Sequence, residues 1–180
     1  FLELIPHIDL VYAALPKPEN FPLWYNLAQR SKIPHKQFFS GLCKIWEKID
    51  APEYHIEVGS SNKQQVLDFF STWKKFSYFY ERDLYYSAPL NGRTNGMAKC
   101  RNPTQILIYS FHPVKFPEVK YSHEYVEFIM KRSKKMNVFD PVIGKGLLAR
   151  FAQKNGHCCY GIDMNYQRLE CTFEYIRNNQ

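Results

Sequence analysis

The feature that most constrains this chain lies near its end, where Asn137-Val138-Phe139-Asp140-Pro141-Val142-Ile143-Gly144-Lys145-Gly146 leads into a helical run and then into Cys158-Cys159-Tyr160-Gly161-Ile162-Asp163-Met164-Asn165. A short apolar strand stops at Asp140-Pro141. Gly144 and Gly146 then permit positive φ and a close approach of the backbone to a ligand. A helix opens at Leu147, and Asp163 ends the next strand about 20 residues on, where a carboxylate can accept hydrogen bonds from both hydroxyls of a ribose. This order of strand, turn, helix and acid-tipped strand reads as a nucleotide pocket. It is not a Walker loop, because Gly146-Leu147 follows Lys145 where a Ser or Thr must hold magnesium. The full dinucleotide fingerprint also fails, since it uses a third glycine to seat the helix against the sheet.

At 180 residues the chain is expected to be one domain, 1–180. It begins at Phe1 without an initiator Met, so an N-terminal segment is expected before it. The formal charge of +7 favours a polyanionic partner, nucleic acid above all. No apolar run reaches the roughly 18 residues of a membrane span, so a soluble protein without membrane contact is expected. The five cysteines form no Cys-x-x-Cys pair and are odd in number, which argues against a zinc site and a disulfide framework and for a reducing cytoplasm. His123-Glu124 begins like a zincin motif, but Glu127 stands where the second His is needed, and no metal is expected.

Apolar patterning places a buried strand over residues 8–13, ended by Pro16 and Pro18. Helical spacing runs over residues 21–49, with Pro34 starting a new helix. A second strand over 54–58 leads to a helix marked by Val66, Phe70 and Trp73, with Ser61 or Asn62 as its cap. Residues 76–86 and 105–111 read as an antiparallel pair; the aromatic cluster Phe76, Tyr78, Phe79, Tyr80, Tyr85 and Tyr86 is expected in the core. Between them a basic loop over 91–101 offers Arg93, Lys99 and Arg101 to phosphates. A basic helix over 121–136, capped by Ser122, ends in a solvated run, Lys131-Arg132-Ser133-Lys134-Lys135. The pocket strand, a helix over 147–154, a strand over 158–162 and a last helix from Tyr166 complete the chain. Strands alternating with helices imply a mostly parallel sheet covered on both faces, a three-layer α/β sandwich of Rossmann type with a terminal antiparallel hairpin. Ligands of such sheets sit at the carboxyl ends of the strands, so Gly144, Asp163 and the loop after Ala13 are expected to converge.

Asp140-Pro-x-x-Gly144-x-Gly146, with Gly161-Ile-Asp163-x-Asn165 downstream, resembles the S-adenosylmethionine (SAM) site of amino-methylating DNA methyltransferases, with Val142 in place of an aromatic and Lys145 in place of a small residue. Nearly the whole chain is similar to the permuted class that modifies adenine N6 or cytosine N4, in which the catalytic strand precedes the cofactor strand. The resemblance implies a catalytic-type half over about 1–120 and a cofactor-type half over about 121–180. It implies SAM held by Phe139, Asp140, Pro141, Gly144, Gly146, Asp163, Met164 and Asn165, DNA as partner, and a bacterial or phage restriction-modification context. In that class a further edge strand comes just before the position of Phe1, so either it precedes this chain or the sheet is one strand smaller.

At the catalytic tetrapeptide the class has Asp, Asn or Ser, then Pro-Pro and an aromatic; here Ala14-Leu15-Pro16-Lys17 stands. The class uses the first side chain to orient the exocyclic amine and the aromatic to stack on the flipped base. Ala14 has no acceptor and Lys17 no ring. Each loss is worth about 1–3 kcal/mol, so the expectation is a methyltransferase-like protein that binds SAM and DNA with weak or no catalysis by the isolated chain. The alternatives are an active enzyme completed by Tyr12, Glu19, Tyr25 or a partner subunit, a homodimer included, and a non-catalytic pseudoenzyme. A Rossmann-like domain for another nucleotide, with Lys145 on a phosphate, is a third reading.

Overall fold

The computed structural model describes residues 6–90 and 96–178. Six strands form one sheet: β1 (Leu10–Ala14), β2 (Glu53–Val58), β3 (Tyr78–Pro89), β4 (Met97–Ser110), β5 (Asn137–Asp140) and β6 (Cys158–Gly161), in the spatial order β3-β4-β2-β1-β5-β6. β1 pairs in parallel with β2 and β5, and β5 with β6, while β4 runs antiparallel to both β2 and β3. The helices are α1 (Phe21–Ala28), α2 (His35–Ile49), α3 (Lys63–Ser71), α4 (Ser122–Met130), α5 (Leu147–Lys154) and α6 (Tyr166–Asn178), with a 3-10 turn over Pro18–Asn20. Among the described residues the sheet ends at β6. The expected preceding strand falls outside them, as does Arg93.

Strand periodicity divides the core in two. Val11, Ala13, Tyr54, Ile56, Leu107 and Phe139 face one way, against Leu42 and Trp46 of α2 and Val66 and Phe70 of α3. Leu10, Tyr12, Ile106, Ile108 and Val138 face the other, against Tyr125 and Ile129 of α4 and Leu148 and Phe151 of α5. β1 is therefore sealed on both faces, which explains its unbroken apolar run. The chain leaves β1 over one face, through α1 and α2 to β2. It leaves β5 over the other, through α5 to β6. A crevice opens at the carboxyl ends of these two neighbours.

Four local expectations are corrected. Asn62 precedes α3 but does not cap it by side chain: its Oδ1 accepts from the Gly59 amide at 2.8 Å and its Nδ2 donates to the Pro16 carbonyl at 3.2 Å. Ser122 is the first residue of α4 rather than its cap, and its Oγ accepts from the Ser87 amide; the carboxylate of Glu124 takes the Lys120 and Tyr121 amides. The aromatic cluster is not all core, because β3 is the sheet edge and leaves Tyr78, Phe79 and Tyr85 exposed. Residues 97–101 belong to β4, not to a loop.

The basic run after α4 also divides. Lys131, Lys134 and Lys135 are exposed, whereas Arg132 makes a two-pronged pair with the Glu53 carboxylate at 2.7 and 2.8 Å. Glu53 also meets His55, whose ring hydrogen-bonds Tyr125. Burial opposes the charge on Glu53, but His55 and then Arg132 outweigh it and hold the carboxyl down at about 2. The pair's stabilisation is therefore complete above the ordinary carboxylate value of 4.5 and is lost as pH falls from there toward 2. Arg132→Met should destabilise the fold by about 2–4 kcal/mol at pH 7, measured by denaturant titration, because it strands a largely buried carboxylate; a loss under about 1 kcal/mol would show the pair to be solvated.

Candidate cofactor and target site

Asp140, Gly144 and Asp163 meet through the backbone. Asp140 ends β5, and its Oδ1 accepts from the Val142 amide at 3.0 Å, turning the chain at Pro141. Gly144 takes φ +53 and donates its amide to Asp163 Oδ2 at 2.8 Å; the other Asp163 oxygen accepts from Asn165 at 2.7 Å. Asp163 thus ties the loop after β5 to the loop after β6, with lone pairs left for a further donor.

The two glycines have different roles. A Cβ at Gly144 would meet nothing nearer than the Val142 carbonyl at 3.7 Å, so the space beside it is clear of protein. A Cβ at Gly146, where φ is +74, would strike Thr172 of α6 at 2.4 Å. Gly146 therefore lets α6 close against the loop, the packing role that the third glycine has in dinucleotide folds.

Three cavities open along the carboxyl edge of the sheet. The first, about 530 Å³, lies between α1, α2 and the ends of β5 and β6; Phe38, Ile45, Val142, Ile162 and Met164 form apolar walls, and Asp163 supplies a polar one. The second, about 200 Å³, is lined by Tyr12, Asp140, Gly144, Lys145 and Arg168. The third, about 160 Å³, holds the whole Ala14-Leu15-Pro16-Lys17 segment together with Glu57, Asn102 and Thr104. Trp24 lines all three, and the Arg168 guanidinium lies 4.5 Å from its ring centre.

Of the residues expected around a cofactor, Asp140 and Gly144 line the second cavity, and Pro141, Asp163 and Met164 the first. Phe139 is sealed in the core, and Asn165 joins elements, accepting from the Arg168 amide at the start of α6 and donating to the Leu27 carbonyl. The tetrapeptide segment is held in place by Leu15, whose amide donates to the Glu57 carbonyl at 3.0 Å, and by the bond from Asn62 to Pro16. Lys17 lays its aliphatic stem over Gly59.

Beyond the tetrapeptide, Tyr12 reaches the site, whereas Glu19 is exposed and bonded to Ser61, and Tyr25 lines the first cavity only. Lys99 lies over the Tyr121 ring at 4.9 Å, and Arg101 is exposed where β4 carries extra residues opposite Tyr86. That irregularity bends the hairpin, so Tyr86, Ser87, Ala88 and Pro89 roof the second cavity. Among the described residues no group of His, Cys, Asp and Glu could hold a metal ion, and no helix is long and apolar enough to cross a membrane.

The sequence reading missed Glu57, Trp24 and Arg168. For Glu57 a signal existed: an acid at an interior position of an apolar strand, His55-Ile56-Glu57-Val58. Its carboxylate accepts from Tyr12 Oη and Thr104 Oγ1, each at 2.8 Å. Burial raises its pKa against the pull of those two hydroxyls and that of Ser122. Burial also pushes Asp140 up to about 8, opposed by the Val142 amide and reinforced by Asp163. Tyr12 stands between the two acids, raised by burial and then by Glu57 and Asp140.

Two outcomes follow. Because Asp140 titrates near 8 when folded and near 3.8 when not, its contribution to stability is complete below about pH 4, declines as pH rises and is gone above about 8. Chemical denaturation across that range should show wild-type stability falling with pH by about a few kcal/mol, and Asp140→Asn should flatten the slope, leaving the decline that Glu57 contributes in the same direction. Gly146→Ala should cost about 2–4 kcal/mol and Gly144→Ala about 1, and adding Thr172→Ala should recover part of the Gly146→Ala loss but none of the other, read from thermal melts.

Neither a protein-family model nor a curated protein matches this chain. Solved structures do. PvuII DNA methyltransferase (cytosine-N4-specific) superposes with a TM-score of 0.62 at 14% identity, over 99% of this chain and 84% of that one. TTHA0409 from Thermus thermophilus, solved in complex with S-adenosyl-L-methionine, gives 0.61 at 13% identity, over 98% and 90%. M1.HpyAVI in its SAM complex gives 0.55 at 12% identity, over 94% and 88%. At such identities the likeness is one of fold, and what it shows is that this chain carries the Rossmann-like fold of the DNA methyltransferases.

Proposed function

We propose that the chain binds SAM across the ends of β5 and β6 and engages DNA beside it, as a DNA amino-methyltransferase-like protein whose isolated chain transfers methyl groups weakly or not at all. One observation carries the reading. The cavity holding Asp163 and the cavity holding Ala14-Leu15-Pro16-Lys17 lie at the same sheet edge and share Trp24 as a wall.

The residues present fit such a cofactor. The apolar walls of the first cavity suit a purine, and Asp163 stands at that cavity with lone pairs for ribose hydroxyls. Clear space beside Gly144 leads toward Asp140, whose carboxyl becomes the charged partner of a cation placed in the second cavity. SAM, when bound, supplies an electrophilic methyl group on a positively charged sulfur. The chain's part is to orient that group, keep water away from it and present an amine to it. A cation there lowers the Asp140 pKa, so binding at neutral pH releases a proton.

For DNA, a cleft of about 770 Å³ adjoins the tetrapeptide cavity, sharing Lys17 and Thr104 with it and adding Lys120 and Tyr85. With the net charge of +7, these cations support a phosphate track. The lost acceptor at Ala14 and lost ring at Lys17 support slow chemistry.

Calorimetric titration with SAM and S-adenosylhomocysteine tests the cofactor site. Micromolar binding is expected. Asp163→Ala should weaken it at least about tenfold, the equivalent of one or two hydrogen bonds, while Asp163→Asn, which keeps an acceptor for the Gly144 or Asn165 amide, separates loop support from ligand contact. A folded wild-type chain that takes up neither compound sinks the reading.

A further inference from the structure

A second cluster of aromatic rings lies at the amino end of β2, the end opposite the proposed cofactor site. Tyr54 stands near the start of β2 and Phe111 follows β4; the antiparallel pairing of Glu53 with Ser110 brings them to the same end of the sheet. The turn between α3 and β3 adds Trp73 and Phe76. The Tyr54 ring stands at 77° to that of Trp73 and at 76° to that of Phe76, with centroids 5.6 Å apart in each case, and Phe76 lies 5.4 Å from Phe111. The four rings form a box. Its occupant is the Lys75 ammonium, which lies 4.5 Å from the centre of the Trp73 ring, 5.0 Å from that of Phe76 and 5.7 Å from those of Tyr54 and Phe111. The exposed carboxylate of Asp50, just past the end of α2, pairs with the same ammonium at the rim.

Two features distinguish the box from ordinary ring packing. A surface lysine keeps its head in water, as the neighbouring Lys74 does, whereas Lys75 turns its head onto the rings and leaves its side chain 28% exposed. Trp73, Phe76 and Phe111 are themselves only partly buried, so the box is open to solvent. Aromatic faces around a cation, with a carboxylate at the rim, suit an alkylated ammonium. A primary ammonium is the weaker occupant, because it is strongly hydrated and gives up water on entering.

We infer that this box is a binding site for a trimethylammonium group, carried by a methylated lysine of a protein partner or by a small free compound, and that Lys75 fills it as a tethered stand-in. When the ligand enters, Lys75 regains its water and Asp50 faces the incoming cation. The site is independent of SAM and DNA, and its test requires neither.

The experiment uses the whole chain and ligand-observed NMR, reading the methyl signal that each probe carries. The probes are choline, its uncharged tert-butyl isostere, and a short peptide containing trimethyllysine. Lys75→Ala, which empties the box, should bind choline about tenfold more tightly than the isostere, the worth of a desolvated cation–π contact. Wild type should show the same preference at about tenfold weaker affinity, because the tethered ammonium competes for the rings. Adding Trp73→Leu to Lys75→Ala should remove the preference. If Lys75→Ala does not fold, the wild-type preference and its loss in Trp73→Leu carry the test. Both affinities are read on the same folded sample, so a change in stability alone does not move their ratio. A trimethyllysine peptide that binds more tightly than choline identifies a protein partner, and the reverse order a small compound. The inference is overturned if neither choline nor the peptide binds, if the isostere binds as well as choline, or if wild type takes choline as tightly as Lys75→Ala does.

Discussion

The site depends on β1 pairing in parallel with two neighbours while the connections from β1 and β5 depart over opposite faces of the sheet. The seam where the two strands end is then left open between the two connections. Ala14 and Asp140 end these neighbouring strands at the seam, and three cavities open along it. The segments that follow are short and held by hydrogen bonds to their backbone from neighbouring segments. Asp163 fixes the Gly144 amide, Asn62 fixes the Pro16 carbonyl, and the Glu57 carbonyl holds Leu15. The site is thus built on strand ends rather than on long loops, which favours precise placement of side chains.

Charges of both signs meet at the seam, where Lys17, Lys145 and Arg168 line the cavities with the two acids. A chain with net charge +7 places Glu57 and Asp140 under cover, with Tyr12 between them. Burying two acids costs stability, and their raised pKa values record that cost. Acids perturbed by burial in a cleft mark it as a candidate functional site. By contrast Glu53, partly buried, is paired with Arg132 and His55 and has its pKa lowered. The same residue type is therefore a structural clamp at one end of β2 and an acceptor facing a cavity at the other.

Much of the fold was legible because its signals are local. The doubly covered strand at β1, the glycine turn after Asp140 and the 3.6-residue spacing of α2 follow from chain chemistry alone, and the structure places each within a few residues of its expected bounds. What failed were statements about partners distant in sequence. Aromatic alternation over residues 76–86 fits a core strand and an edge strand equally, and only the insertion of β4 between β2 and β3 decides the matter. Asn62 and Ser122 have good capping chemistry, but Pro16 and Ser87, far along the chain, compete for their side chains. Glu57 was passed over because an acid in a strand is ordinarily on the solvent face, and its neighbours on that face, Tyr12 and Thr104, come from other strands.

The bent hairpin joins these observations. Between Tyr85 and Ser87 the register with β4 shifts, and the far part of β3 swings over the seam. Ser87 is pinned there by Ser122 and by His123, so the roof is anchored to α4. Tyr86, at the bend itself, is the residue through which the roof reaches both the second and third cavities, while Trp24 enters them from α1. An aromatic from each side of the seam, with carboxyls on the sheet between, gives the cleft flat walls and a polar floor. These walls come from side chains on β2, β3 and α1 rather than from the segment after β1.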